Sequence, residues 1–349
     1  VNMSDLGNRT STLMYKETCE APSVVALQKD KNDIVCAELA ARFLNRPPRL
    51  VATCARGSSD HAAAYAKYLM EIHLGVPVLS AAPSVGAIYG RPMNLKNCLF
   101  VIISQSGKSP DLLASAQWAR ENGAFILALV NQEDSPAAKM ADAVLPLLAG
   151  PEKSVAATKS YIASLGALLH MTAAVSGDME LGKAFNELPN DLEKALKLSW
   201  DEAVEPLADA ENLFVIGRGF SYGVALEAAL KLKETSSLHG EGISGAEIMH
   251  GPLALIRRRS RILAFSQEDE TRPGLLELAE ILRSKGARLF MAEEGGTAPG
   301  RLPVIPGMHP ATAPIAMIQS FYVMANTLSL TRGMNPDNPP SLKKVTETL

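Results

Sequence analysis

Cysteine is scarce. Only 4 occur in 349 residues, Cys19, Cys36, Cys54 and Cys98, all in the first third and none in a CxxC pair. That excludes a disulfide framework and a cysteine-built zinc site. Histidine is nearly as sparse, 6 in all, with no HExxH or similar spacing, so no metal site is expected. A basic excess is missing too. Lys and Arg total 34 against 37 Asp and Glu, a net charge of −3, which argues against a nucleic-acid partner. No apolar run is long enough to span a bilayer, and residues 1–12 are polar, without the apolar stretch of a secretory signal. The expectation is a cytoplasmic protein with no membrane partner. Charged residues are 20%, slightly low, which suits a large core or buried subunit contacts. Hydrophobic residues are 47%, near the globular norm, so disorder and collagen-like structure are excluded. The length allows two domains, or three.

What is there is a repeat. Val51-Ala-Thr-Cys-Ala-Arg-Gly-Ser-Ser59 reads as an apolar strand entering a small-residue turn, and a helix follows. Leu213-Phe-Val-Ile-Gly-Arg-Gly-Phe-Ser221 does the same, with Arg218 lying 162 residues after Arg56. Leu99-Phe-Val-Ile-Ile-Ser-Gln105 and Arg261-Ile-Leu-Ala-Phe-Ser-Gln267 match at the same offset of 162. Two independent matches at one spacing point to a duplicated α/β unit.

In the first unit, strands are expected at Arg49–Cys54, Val78–Ser80, Cys98–Ser104, Phe125–Val130 and Ala143–Leu147. In the second they are expected at Asn212–Ile216, Ile262–Phe265, Arg288–Met291 and Leu302–Ile305. Apolar strands alternating with helices imply right-handed crossovers and parallel sheets covered on both faces. Lys159–Val175 and Ala311–Thr331 read as long apolar helices, and Glu180–Glu205 as a charged helical connector broken at Pro189. The expected domains are an N-terminal arm and helix (1–48), a first α/β domain (49–180), a connector (181–205), a second domain (206–332) and a tail (333–349).

Ligands of open parallel sheets bind at the carboxyl ends of strands, near helix N-termini. There the first unit places Ser58 and Ser59 and, one strand later, Ser104-Gln105-Ser106-Gly107-Lys108-Ser109. Serine often does no more than cap a helix. Five serines on two adjacent strand ends favour an anion site instead, and hydroxyls, N–H groups and a helix dipole suit a phosphate monoester. The loop is neither a Walker A sequence nor GxGxxG, so a nicotinamide cofactor is weakly supported and none is expected. The second unit has Glu268-Asp269-Glu270 at the matching place, which would repel phosphate.

Three further features are open on sequence grounds. Glu227, Lys231 and Glu234 share one helix face, as either a surface salt-bridge stripe or a proton shuttle beside a lysine. His250 sits in a turn before Gly251-Pro252, where it is either a structural histidine or a proton-transfer group. Lys344 lies in a tail that is ordinarily a solvated terminus.

The motifs Ser104-Gln-Ser-Gly107, Val155-Ala-Ala-Thr-Lys159, Ala229-Leu-Lys-Leu-Lys-Glu234 and Glu247-Ile-Met-His-Gly-Pro-Leu-Ala-Leu255, with Lys344 near the end, make the chain resemble sugar isomerase (SIS) domain proteins. The resemblance is to the isomerase half of glutamine–fructose-6-phosphate aminotransferase, and it runs over nearly the whole chain. It implies two SIS domains, each a flavodoxin-like five-stranded parallel sheet, in a homodimer. It implies that Ser58, Ser59, Ser104, Gln105, Ser106, Ser109 and Val155 bind a sugar phosphate. Glu234 would move a proton between C1 and C2 with Lys231 beside it, His250 would open the ring from the neighbouring subunit, and Lys344 would form an imine with the open-chain ketose. Departures from that pattern are Arg56 for a small or cysteine residue, Lys108 for an acidic one, Ala157 for serine, and an altered ending after Lys343. With only a short arm before the first SIS unit, glutamine hydrolysis is not expected of this chain. The resulting expectation is a glucosamine-6-phosphate deaminase of the isomerising type. The alternatives are a phosphosugar aldose–ketose isomerase without ammonia chemistry, and a non-catalytic sugar-phosphate-binding regulator.

Overall fold

A computed structural model describes residues 9–344. The described chain falls into two compact units, one of residues 23–152 and 159–187, the other of 9–22, 153–158 and 188–344. These groups cut across the linear boundaries expected from sequence. The start of helix α1 (Leu13–Lys31) and the strap 153–158 both go with the C-terminal sheet.

The unit holding the N-terminal sheet runs through α2 (Asp33–Asn45), β1 (Leu50–Cys54), α3 (Ser58–Leu74), β2 (Val78–Ser80), α4 (Pro83–Ala87) and β3 (Cys98–Ser104). It continues with α5 (Pro110–Glu121), β4 (Phe125–Val130), α6 (Pro136–Met140), β5 (Ala143–Pro146) and α7 (Lys159–Ser176). The five strands are parallel, in the order β2-β1-β3-β4-β5. All seven residues of β3 are buried, as a central strand covered on both faces requires. Most of α7 is buried all round, which explains its nearly unbroken apolar sequence.

Helix α8 (Met179–Ala195) runs on through Pro189 instead of breaking there. The cost of the missing N–H is offset by a buried stripe of Leu181, Phe185, Leu188, Leu192 and Ala195. The other unit then adds α9 (Val204–Ala208), β6 (Asn212–Gly217), α10 (Ser221–Ser236), β7 (His239–Ser244), β8 (Arg261–Phe265), α11 (Arg272–Ser284), β9 (Arg288–Ala292), β10 (Arg301–Leu302) and α12 (Ala313–Thr331). Its parallel order, β7-β6-β8-β9-β10, repeats that of the first sheet. The register repeats as well. Val51 pairs with Leu99 and Val78, while Leu213 pairs with Arg261 and Gly240, each residue 162 positions on. Strand β7 is absent from the sequence expectation, and the expected strand at 302–305 shrinks to the two-residue β10.

Candidate functional site

In the first unit the serines lie where β1 and β3 end. Gly57, at φ +55°, turns the chain from β1 into α3, whose first residues are Ser58 and Ser59. The Ser104 hydroxyl, 6% exposed, accepts the Gly107 N–H at 3.0 Å, and Ser106 accepts that of Lys108 at 3.3 Å. Gly107 has φ +62°, and a Cβ there would run into Ser135, so the loop is shaped for glycine. Ser109 is the residue before α5, whose N-terminus has proline in its first turn. Gln105, Ser106, Ser109, Ser58 and Ser59 are half-buried and Lys108 is exposed. The two loops are tied together. Arg56 Nε and Nη2 donate to Asp111 Oδ2 at 2.9 and 2.8 Å, joining the end of β1 to the first turn of α5. Sequence reasoning noted Arg56 but not this partner, whose signal was an acidic residue in the first turn of the following helix.

Nearby Cys54 is inert, since burial pushes its thiol up to about 12. A separate cavity lined by Arg42, Phe43, Arg46, Asn97 and Phe125 lies at the amino ends of β3 and β4, away from the serine loops.

In the other unit, the i, i+4, i+7 face of α10 is buried. Lys231, 1% exposed, has its Nζ 3.5 Å from Glu227 Oε1 and hydrogen-bonded to Glu234 Oε2. Glu227 is fully buried and accepts a 3.1 Å hydrogen bond from the Tyr322 hydroxyl of α12. Glu234 keeps 20% of its side chain exposed. The surface-stripe reading of this face therefore fails. One carboxylate is locked inside, the lysine bridges, and the other carboxylate reaches the surface. Tyr322 was missed because nothing in an apolar helix marks one tyrosine as the partner of a glutamate 95 residues away.

The strap 153–158 is held from both chain ends. Glu17 accepts the N–H groups of Lys153 and Ser154, and the Val155 N–H donates to the Asp337 carbonyl at 3.2 Å. The Asp337 carboxylate accepts the Leu13 and Met14 N–H groups at 2.8 Å each, capping α1. Lys344 follows seven residues later, partly buried. His250 is exposed, in the short turn Glu247–His250 after β7, and Gly251 behind it has φ +136°. Among the described residues no three His, Cys, Asp or Glu are placed to hold a metal ion. No helix among them is long and apolar enough to cross a membrane.

The SIS domain family matches residues 46–174 and 206–297, one stretch on each sheet. The chain belongs to the SIS domain family. Glutamine–fructose-6-phosphate aminotransferase [isomerizing] of Methanothermobacter thermautotrophicus is 36% identical over 303 residues, 82% of this chain and 50% of that protein. The Thermococcus kodakarensis aminotransferase of that name is 33% identical, over 95% of this chain and 57% of its own length. This SIS chain thus spans about half the length of the curated relatives it matches. Among solved structures, the "putative phosphosugar isomerase" of Silicibacter pomeroyi DSS-3 superposes with a TM-score of 0.89 at 38% identity, covering 93% of this chain and all of that one. The C-terminal domain of the Francisella tularensis glucosamine-fructose-6-phosphate aminotransferase gives 0.84 at 26%, covering 94% and 98%. The SIS fold, twice over, is thereby established.

Proposed function

We propose that this SIS protein acts on an amino-sugar 6-phosphate as an isomerising deaminase, converting glucosamine 6-phosphate and water to fructose 6-phosphate and ammonia. The observation that carries the reading is the buried Glu227–Lys231–Glu234 array with Glu234 alone reaching the surface. A base meant to move a carbon-bound proton needs that placement, fixed on one side and open on the other. The amino-sugar class is supported by the relatives, which are named as glutamine–fructose-6-phosphate aminotransferases.

In this reading the hydroxyls of Ser58, Ser59, Ser104, Ser106 and Ser109, with Gln105, hold the phosphate at the mouths of β1 and β3, and Val155 borders the sugar. His250, supplied by a second copy in a homodimer, opens the ring to the C1 aldehyde. Glu234 takes the C2 proton, giving an enolamine, and returns it to C1, which leaves an iminium at C2. Lys231 holds Glu234 as the carboxylate that takes the proton and stabilises the charge that develops on the enolamine oxygen. The Lys344 amine adds at C2 and ammonia leaves; water then hydrolyses that imine, freeing the ketone and the lysine. Each proton removed is returned, and the nitrogen lost is the nitrogen released.

The test is direct. Incubation with glucosamine 6-phosphate should release ammonia and fructose 6-phosphate in equal amounts. Glu234→Gln should lower kcat by roughly 10²–10⁴-fold, the range for losing one acid–base group. Unchanged ammonia release in that variant sinks the mechanism. Interconversion of simple hexose phosphates with no ammonia from the amino sugar would favour the plain isomerase.

A further inference from the structure

We infer that Arg56 is a positioning residue that cancels the buried charge of Asp111 beside the phosphate loops, and so sets how strongly a phosphate ester is held there. The inference rests on the reading of those loops as a phosphate site. Asp111 is 2% exposed and stands in the first turn of α5, directly after the Ser104–Ser109 loop. A carboxylate there welcomes the helix dipole but opposes an incoming dianion. Its Oδ1 accepts the Leu112 N–H at 2.9 Å, and its Oδ2 takes both Arg56 donors. Arg56 has 54% of its side chain exposed, so it meets the loops from the solvent side while its fork closes on the acid. Asp60, in the first turn of α3, adds a second carboxylate, its carboxyl raised by burial and opposed by His61 and Arg56. Without the arginine both helix starts would present acid to the phosphate.

The duplicate half supplies an internal contrast. Arg218 stands at the place of Arg56, but the position matching Asp111 is Pro273. There the guanidinium lies against Gly274, whose added Cβ would come 2.8 Å from Arg218 Nη1. The loop before it keeps Ser266 and Thr271 at the places of Ser104 and Ser109 but carries Glu268-Asp269-Glu270 at those of Ser106, Gly107 and Lys108. The arginine–aspartate clasp thus belongs to the half whose loop is free of acid, and is missing from the half whose loop is acidic.

Titration with glucosamine 6-phosphate and with inorganic phosphate, followed by calorimetry, tests this on the full chain. Arg56→Ala should weaken binding of both by roughly tenfold or more, the loss expected when a buried charge loses its hydrogen-bonded partner. In turnover, KM should rise while kcat changes little. Asp111→Asn in the Arg56→Ala background should restore binding to within about threefold of the parent, because it removes the carboxylate charge that Arg56 offsets. Asp111→Asn alone should bind phosphate at least as tightly as the parent, which keeps the test alive if Arg56→Ala folds poorly. Weaker binding by Asp111→Asn alone, or no recovery in the double variant, overturns the charge-cancelling role. If the parent binds sugar phosphate and Arg56→Ala binds it equally, this inference falls and the site reading stands. If the parent binds neither probe, both fall.

Discussion

Lys231 owes its position to two acids. Its side chain is 1% exposed, with Glu227 and Glu234 against the ammonium, and Glu227 in turn accepts from the Tyr322 hydroxyl. Breaking such a group by removing one partner costs about 3–5 kcal/mol, whereas replacing it by apolar residues of similar volume is far cheaper. Glu227→Leu alone should therefore destabilise the protein by about 3 kcal/mol, since Glu234 remains as a second partner. Adding Lys231→Met should recover part of that loss, although it removes a second charged residue. Denaturant unfolding of the two single variants and the double one measures the coupling. Strict additivity would show that the three groups act independently. At this scale the sequence disclosed the residue types and their shared face but not their burial. The i, i+4, i+7 spacing is the same for a solvated stripe and for an internal array, and only the partner from α12 distinguishes them.

Strand β7 shows why one element escaped notice. His239-Gly-Glu-Gly-Ile-Ser244 has two glycines and three polar residues in six, the opposite of a β-rich run. The reason lies in α10, whose backbone rests directly on the strand. A Cβ at Gly242 would come 2.8 Å from Leu226 Cα, and one at Gly240 would come 3.0 Å from the Ala229 carbonyl oxygen. The glycines that hide the strand are what lets the helix carrying Glu227, Lys231 and Glu234 approach it. Gly242→Ala should cost about 1–3 kcal/mol, the usual penalty of overpacking, and should lower kcat as α10 is displaced. Gly182→Ala in α8 is the control. It lies inside the helix with open space around it, so it should gain up to about 1 kcal/mol from helix propensity. Thermal unfolding of the two variants should shift in opposite directions. The central strands β1, β3, β4, β6, β8 and β9 were legible because each is an apolar run buried on both faces. The continuity of α8 through Pro189 was not, because tertiary burial of its stripe overrides a local breaker.

Across the whole molecule the repeat is one of register as well as of sequence, yet the chemistry is unequal. The hydroxyl loop belongs to the N-terminal sheet, and the buried Glu–Lys–Glu array to α10 of the C-terminal one. That division is what duplication followed by specialisation leaves behind, with one copy keeping the anion loop and the other free to acquire acid–base residues. It also bears on His250, which is exposed in its turn and which the family resemblance assigns to the neighbouring subunit's site. If each site takes Glu234 from one chain and His250 from the other, then Glu234→Gln and His250→Ala, each nearly inactive alone, should complement when mixed. In a mixed dimer one site carries both defects and the other carries neither. Equal amounts, unfolded together and refolded, give half mixed dimers, each with one intact site. Activity should then return to about one quarter of the parent level, the fraction set by random pairing in a two-fold dimer. If each site draws both residues from one chain, the mixture stays as inactive as its components, and the assay separates the two arrangements without a ligand-bound structure.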